Sequence, residues 1–132
     1  MSYPAPTLNQ PLRGSKMHTH TMSQDEMKAC IDACTNCHHT CLQMAMNHCL
    51  LVGGKHVEQG HFTLMMDCAR VCETSVHLQL SGSSFSAELC GVCAQVCDAC
   101  ADSCQGVDGM DACVAACRAC AESCRAMAKA VH

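Results

Sequence analysis

From Ser23 onward, apolar and sulfur-bearing residues return every three or four positions, and the return breaks at three places. The chain therefore reads as four consecutive amphipathic helices. Ser23 followed by Glu26 has the capping-box spacing, and the pattern it opens runs to Gly53-Gly54, a natural stop. A second segment extends from about His56 to Leu80 and ends in Ser81-Gly82-Ser83-Ser84. A third covers residues 85–105 and stops at Gly106, after which Asp108 can cap a fourth that reaches about Ala130. Short connections between such helices imply antiparallel neighbours, so the expected fold is all-α, an antiparallel four-helix bundle over residues 23–132. Residues 1–22 are non-periodic and carry Pro4, Pro6, Pro11 and Gly14, which predicts a flexible N-terminal tail.

The residues that make the stripes are mostly cysteines. Segment one has Cys30, Cys34, Cys37 and Cys41; segment two has Cys68 and Cys72. Segment three has Cys90, Cys93, Cys97, Cys100 and Cys104, and segment four has Cys113, Cys117, Cys120 and Cys124. At about 100° per residue, steps of three and four return to nearly one direction, so each set lines a single helix face. Those faces point where a bundle places its core, which predicts inward-facing cysteines. Cys49 stands apart, about 80° round from Cys41 on a regular helix, at the edge of its stripe. The seam is expected to continue through Met44 and His48 in segment one. In segment two it runs back through Met65 to His61. An up-down-up-down bundle brings these four residues to one end, with Met110 nearby. His38, His39 and His77 fall off the seam and read as surface residues.

Composition narrows the function. Of 132 residues, 16 are Cys, 10 Met and 9 His, with no Trp and three Phe and Tyr together, so the core must be built largely from sulfur. With 8 basic and 12 acidic residues the formal charge is -4, which provides no polybasic surface for nucleic acid or anionic lipid. No apolar run approaches a membrane span, and the N-terminal segment lacks the apolar stretch of a secretory signal. The expected compartment is the cytoplasm, where thiols stay reduced.

Reduced thiols at this spacing suit metal better than disulfides. Neighbours three or four apart on a helix have Cβ atoms about 5–6 Å apart, whereas a disulfide needs roughly 3.5–4.5 Å. Two thiolates bonded at about 2.3 Å to one ion span about 4–4.6 Å, which rotamer choice can reach. Thiolate and thioether donors select Cu(I), zinc or iron-sulfur clusters, and Met favours Cu(I) among these. Charge separates the first two. Zinc taking four thiolates per ion would leave about half of the thiolate charge in the core, while one Cu(I) per thiolate neutralises it. The bacterial ferredoxin spacing with its following Pro is missing, which disfavours an iron-sulfur carrier. No Cys/His pair with an orienting acid can be placed, so no enzyme is expected.

The runs Cys30-x3-Cys-x2-Cys-x3-Cys41, Cys90-x2-Cys-x3-Cys-x2-Cys-x3-Cys104 and Cys113-x3-Cys-x2-Cys-x3-Cys124 resemble the bacterial copper storage proteins, in their cytosolic branch. The resemblance covers residues 23–130. It implies a bundle whose inward cysteines hold many Cu(I) ions, and a homotetramer of such bundles. His61 and Met65 depart from it, standing where cysteines would continue the pattern. The candidate ligands are thus the sixteen cysteines, Cys49 included, with His48 and His61, and with Met44 and Met65 beside them. A metallothionein-like buffer for zinc or other soft metals is the alternative. The tail run Met17-His18-Thr19-His20-Thr21-Met22 reads as tail rather than site.

Overall fold

The computed structural model describes residues 23–129, so the predicted tail and the last three residues lie outside the described residues. Four long helices follow one another: α1 Gln24–Met44, α2 Gln59–Leu80, α3 Ser86–Gln105 and α4 Asp111–Lys129. α1 packs on α2, α2 on α3 and α3 on α4, and α4 closes back on α1, which makes an antiparallel four-helix bundle.

The boundaries have local causes. Ser23 accepts the Glu26 N–H on its hydroxyl at 3.0 Å, and Glu26 takes the Ser23 N–H at 3.0 Å, the reciprocal pair that starts α1. Gly53 and Gly54, at φ 75 and 60, end the first helical stretch in a conformation that costs other residues a Cβ clash. α2 starts later than the periodicity suggests, because His56 sits in a 3-10 turn, Gly54–Val57, and is itself buried. Asp108 is not the cap of the fourth helix. The chain turns once more at Gly109, φ 78, and buries Met110 before α4 begins at Asp111.

α1 does not run on as a regular helix. After Met44 it opens into a π-turn, Ala45–Cys49, and closes with a last α-helical turn, Leu50–Val52. Each residue of an α-helix advances about 100°, so the one extra residue in a π-turn sets everything after it back by about that angle. Cys49 then takes the direction that a regular helix would give His48. The seam accordingly passes through Ala45 and Cys49, both with no exposed surface, while Met44 and His48 are half-buried beside it.

All sixteen cysteines are buried. They are flanked by Ala69, Ala94, Ala101, Ala116 and Ala121, whose small side chains let the helices approach closely enough for thiols to meet on the axis. On the outside, Arg118 reaches Asp98 and Asp102 across α3 and α4 at 3.3 and 2.6 Å, and Arg125 adds a second pair to Asp98. Such exposed pairs add little to stability, so the thiol core, not the surface, holds the bundle together.

Candidate metal site

The stripes of four helices converge into one column of sulfur. Within single helices, Cys37 and Cys41, Cys93 and Cys97, and Cys120 and Cys124 each lie 3.9 Å apart. Between helices the sulfurs are closer. Cys34 is 3.5 Å from both Cys120 and Cys124, Cys68 and Cys72 are each 3.5 Å from Cys97, and Cys37 is 3.6 Å from Cys68. A three-coordinate ion with bonds of about 2.3 Å sets its sulfurs about 4 Å apart, so small rotamer adjustments admit ions without moving helices.

Four groups of sulfurs lie within 4.8 Å of one another: Cys30 with Cys90 and Cys124; Cys34 with Cys93, Cys120 and Cys124; Cys37 with Cys72, Cys97 and Cys120; and Cys37 with Cys41, Cys68 and Cys117. The groups overlap, because Cys124, Cys120 and Cys37 each belong to two of them. Cys100, Cys104 and Cys113 carry the column onward. Cys100 has Cys104, Cys117, Cys41 and Cys68 as sulfur neighbours, and Cys113 has Cys104 and Cys41.

The column then changes chemistry. The Cys49 thiol points to two thioethers, Met65 Sδ at 3.7 Å and Met110 Sδ at 3.9 Å. His61 is buried, and its Nδ1 hydrogen-bonds the Ser103 hydroxyl at 2.8 Å. Its Nε2 is enclosed without a partner. With Nδ1 engaged by Ser103, the ring turns its Nε2 to a metal, the arrangement in which a second hydrogen bond orients a ligand. His48 also has an enclosed, unpartnered Nε2, and its ring meets that of His56 edge-on at 5.1 Å. His56 donates from Nε2 to the Asp108 carbonyl at 2.9 Å, tying the first connection to the third. A Cβ on Gly109 would come within 3.3 Å of His48 Nε2, so this glycine both makes its turn and leaves room for the imidazole.

One end of the column thus gathers His48, His61, Met65 and Met110 as expected, while Met44, the last residue of α1 before the π-turn, lies half-buried at the flank of the core. The sequence reading did not find His56, which lies in a connection with no periodicity to mark it. It also passed over Ser75 and Gln79, both buried on α2, although they continue the step of three and four beyond Cys72. His38 lies on the outer side, donating from Nδ1 to the Ala69 carbonyl at 2.9 Å.

Proton sharing along the column splits the thiols. Hydrogen bonding to Cys117 first, then to Cys120, Cys41 and Cys68, holds the Cys37 proton on, and burial acts in the same direction. Cys124 is raised likewise, first by Cys120 and then by Cys30. Cys113 is raised by its hydrogen bond with Cys104. Cys104 is drawn down, first by Cys100 and then by Cys113, against the effect of its burial. Cys104, next to the histidine end, is thus one of the thiols drawn down, as are Cys30, Cys41, Cys68, Cys93 and Cys120. Burial pushes Cys49 up, and the nearby charge of Cys104 adds to the shift.

The family model for copper storage proteins matches residues 20–129. A protein of Nitrosospira multiformis of known crystal structure is 60% identical, with a TM-score of 0.80, over 80% of this chain and 97% of that one. The Cu(I)-bound copper storage protein BsCsp3 is 36% identical, with a TM-score of 0.72, over 78% of this chain and 98% of that one. Apo copper storage protein 3 from Bacillus subtilis is 37% identical with a TM-score of 0.63, covering 76% and 97%. An uncharacterized cysteine-rich protein of Bacillus subtilis (strain 168) is 37% identical over 67 residues, and the match spans 51% of this chain and 61% of that protein.

The raised thiols set a pH dependence for the metal-free bundle. Above the ordinary thiol value of 9.0 the unfolded chain has lost its thiol protons, while Cys37, Cys113 and Cys124 retain theirs in the fold. A group raised in the folded state gives stability below its unfolded value and loses it as pH climbs through the folded one. Thermal melting of the reduced apo protein should therefore fall progressively above pH about 9. A midpoint that stays flat from pH 8 to 11 would show that these thiols ionise freely inside the bundle.

Proposed function

The chain belongs to the copper storage protein family, and on that premise we propose how its column of thiols holds the metal. The protein stores Cu(I), many ions per chain, in a bundle core lined by cysteine. We assign as ligands the sixteen cysteines, Cys30, Cys34, Cys37, Cys41, Cys49, Cys68, Cys72, Cys90, Cys93, Cys97, Cys100, Cys104, Cys113, Cys117, Cys120 and Cys124, with His48 and His61 at one end. The observation that carries this is the overlap of the sulfur groups through Cys37, Cys120 and Cys124. Zinc taking four thiolates in each group would leave negative charge uncompensated in the buried column, even where neighbouring ions share a thiolate. Cu(I), bridged by shared thiolates and balancing about one negative charge each, can occupy every group at once.

The thiols are neutral and apolar before loading, so the container is folded while empty and each ion displaces protons as it binds. The ring nitrogens of His48 and His61 and the thioethers of Met65 and Met110 bind soft metal without losing a proton at neutral pH. Ions are received at this end, handed to Cys104 and Cys49, and passed to the all-thiolate interior. Among the described residues no helix is long and apolar enough to cross a membrane. Thiols packed at 3.5–4.0 Å stay a metal container only while reduced, which supports storage in the cytoplasm. The protein acts as a binding protein rather than an enzyme, because the thiols face one another and offer no substrate cleft.

Anaerobic titration of the reduced protein against a competing Cu(I) chelator tests the assignment. Capacity on the order of one Cu(I) per core thiol is expected; saturation at four ions or fewer would mean separate tetrahedral sites. In the same titration, replacing His48 and His61 by Leu should slow uptake and release while leaving most of the capacity. Exchange at the wild-type rate would place the mouth elsewhere.

We further propose a homotetramer. Leu42, Met46 and Leu50 stand four residues apart on the outer face of α1 and its extension, 37%, 39% and 52% exposed, with Leu51, Val52 and Val57 also exposed nearby. Such a patch is better covered by another copy than left in water. Light scattering should give a tetramer mass for the wild type and a smaller species for the Met46→Glu, Leu50→Glu variant. A monomer mass for the wild type would remove the proposal.

A further inference from the structure

The end of the column farthest from the histidines is built on a different plan. The stripe of α2 goes on past Cys72 through Ser75 and Gln79, polar residues that are nonetheless buried, Gln79 being 4% exposed. Beside them stand Cys30, Cys90 and Cys124, a group of three sulfurs where the other three groups have four. Gln79 Nε2 lies 3.6 Å from Cys30 Sγ, 3.7 Å from Cys90 Sγ and 3.1 Å from the Ser75 hydroxyl. Ser75 Oγ is 3.5 Å from Cys90 Sγ and accepts from the Cys34 thiol at 3.7 Å. Gln79 Oε1, on the same amide, is buried with no partner.

An amide beside sulfur has a choice that depends on the state of the sulfur. A neutral thiol can donate, and its natural partner is the carbonyl oxygen; a thiolate only accepts, and its partner is the NH2. Gln79 turns its NH2 to the sulfurs and leaves its carbonyl unpaired. That orientation is poor for neutral thiols and good for thiolates, because a hydrogen bond to a charged acceptor is stronger than one between neutral groups. The two amide hydrogens suffice: one goes to Ser75, and the other is shared by Cys30 and Cys90. The Ser75 hydrogen is then free for Cys90.

Charge explains why the device stands at this end. Three thiolates around one Cu(I) leave two negative charges uncompensated in a buried site. Farther along the column, overlapping groups let neighbouring ions offset such charge, whereas the end group shares only Cys124 with the group before it. Buried anions without a counter-ion need hydrogen-bond donors in its place. We propose that Gln79, with Ser75, caps a terminal Cu(I) site formed by Cys30, Cys90 and Cys124, positioning donors on its thiolates and closing the column at that end. The pair is a positioning device, since it acts through the cysteines and not on the ion. The proposal rests on the storage function and adds to it a distinct last site with its own stabilising contacts.

The test uses the full-length reduced protein, titrated anaerobically with Cu(I) against a chelator, as wild type, Gln79→Leu and Gln79→Glu, with circular dichroism of each apo form. Leu keeps the volume and removes the donors; Glu keeps the shape and places a carboxylate beside the thiolates. For Gln79→Leu we expect an apo form as helical as the wild type. About one ion per chain should be held some 10- to 100-fold more weakly, the rest of the isotherm being unchanged. Gln79→Glu should weaken the same fraction further. Isotherms of both variants that superimpose on the wild type would overturn the proposal, as would a loss spread evenly over the whole capacity in a folded variant. If the Leu variant does not fold, Gln79→Ala, equally without donors and without a sulfur that could itself bind Cu(I), is read in the same way. Failure of the wild type to take up Cu(I) is a separate result, and it would overturn the storage function itself.

Discussion

The constraint on which the rest depends is that one set of atoms must both fill the core and bind the cargo. A bundle interior has to be close-packed, and any small apolar residue would do that. Filling it with cysteine makes every core atom on the axis a soft donor, and the sulfurs then have to touch, as they do at 3.5–4.0 Å. Contact across a four-helix bundle with a side chain as short as cysteine requires narrow helix spacing. The buried alanines Ala69, Ala94, Ala101, Ala116 and Ala121 supply it. Larger residues at those flanking positions would push the stripes apart and leave gaps on the axis that neither thiols nor single ions bridge.

The two ends of the column complement the middle in opposite ways. At the histidine end, His61 and His48 present ring nitrogens without partners, and Met65 and Met110 add thioethers next to Cys49. These are neutral ligands, suited to an ion arriving from water. At the Gln79 end the polar groups present hydrogens, suited to sulfurs that have already lost theirs. The intervening thiols are mutually hydrogen-bonded and can trade protons with their neighbours as ions advance.

Most of this arrangement was legible because cysteine spacing and helix period coincide: fifteen of the positions need only steps of three and four to share a face. What was not legible depends on backbone that leaves that period. The π-turn over Ala45–Cys49 moves Cys49 from the edge of its stripe into the core and sets His48 aside, and nothing in the local composition announces it. His56 is buried through a turn, by a hydrogen bond to a carbonyl some fifty residues away. The start of α4 was misplaced because Asp108 is a good capping residue, yet its carbonyl is engaged by His56 and the turn at Gly109 follows. Ser75 and Gln79 are a different case. Their spacing was visible, but serine and glutamine carry no metal-binding sulfur or imidazole, and only their burial among sulfurs marks them.

Diffraction from crystals of the Cu(I)-loaded protein, with data collected on both sides of the copper absorption edge, tests the central claim most directly. The account predicts a line of anomalous peaks along the bundle axis, from the His48 and His61 end to Cys30, Cys90 and Cys124, each within bonding distance of shared cysteine sulfurs, with helices in place as in the metal-free fold. Peaks confined to the bundle surface, or isolated ions each enclosed by four thiolates of its own, would contradict it.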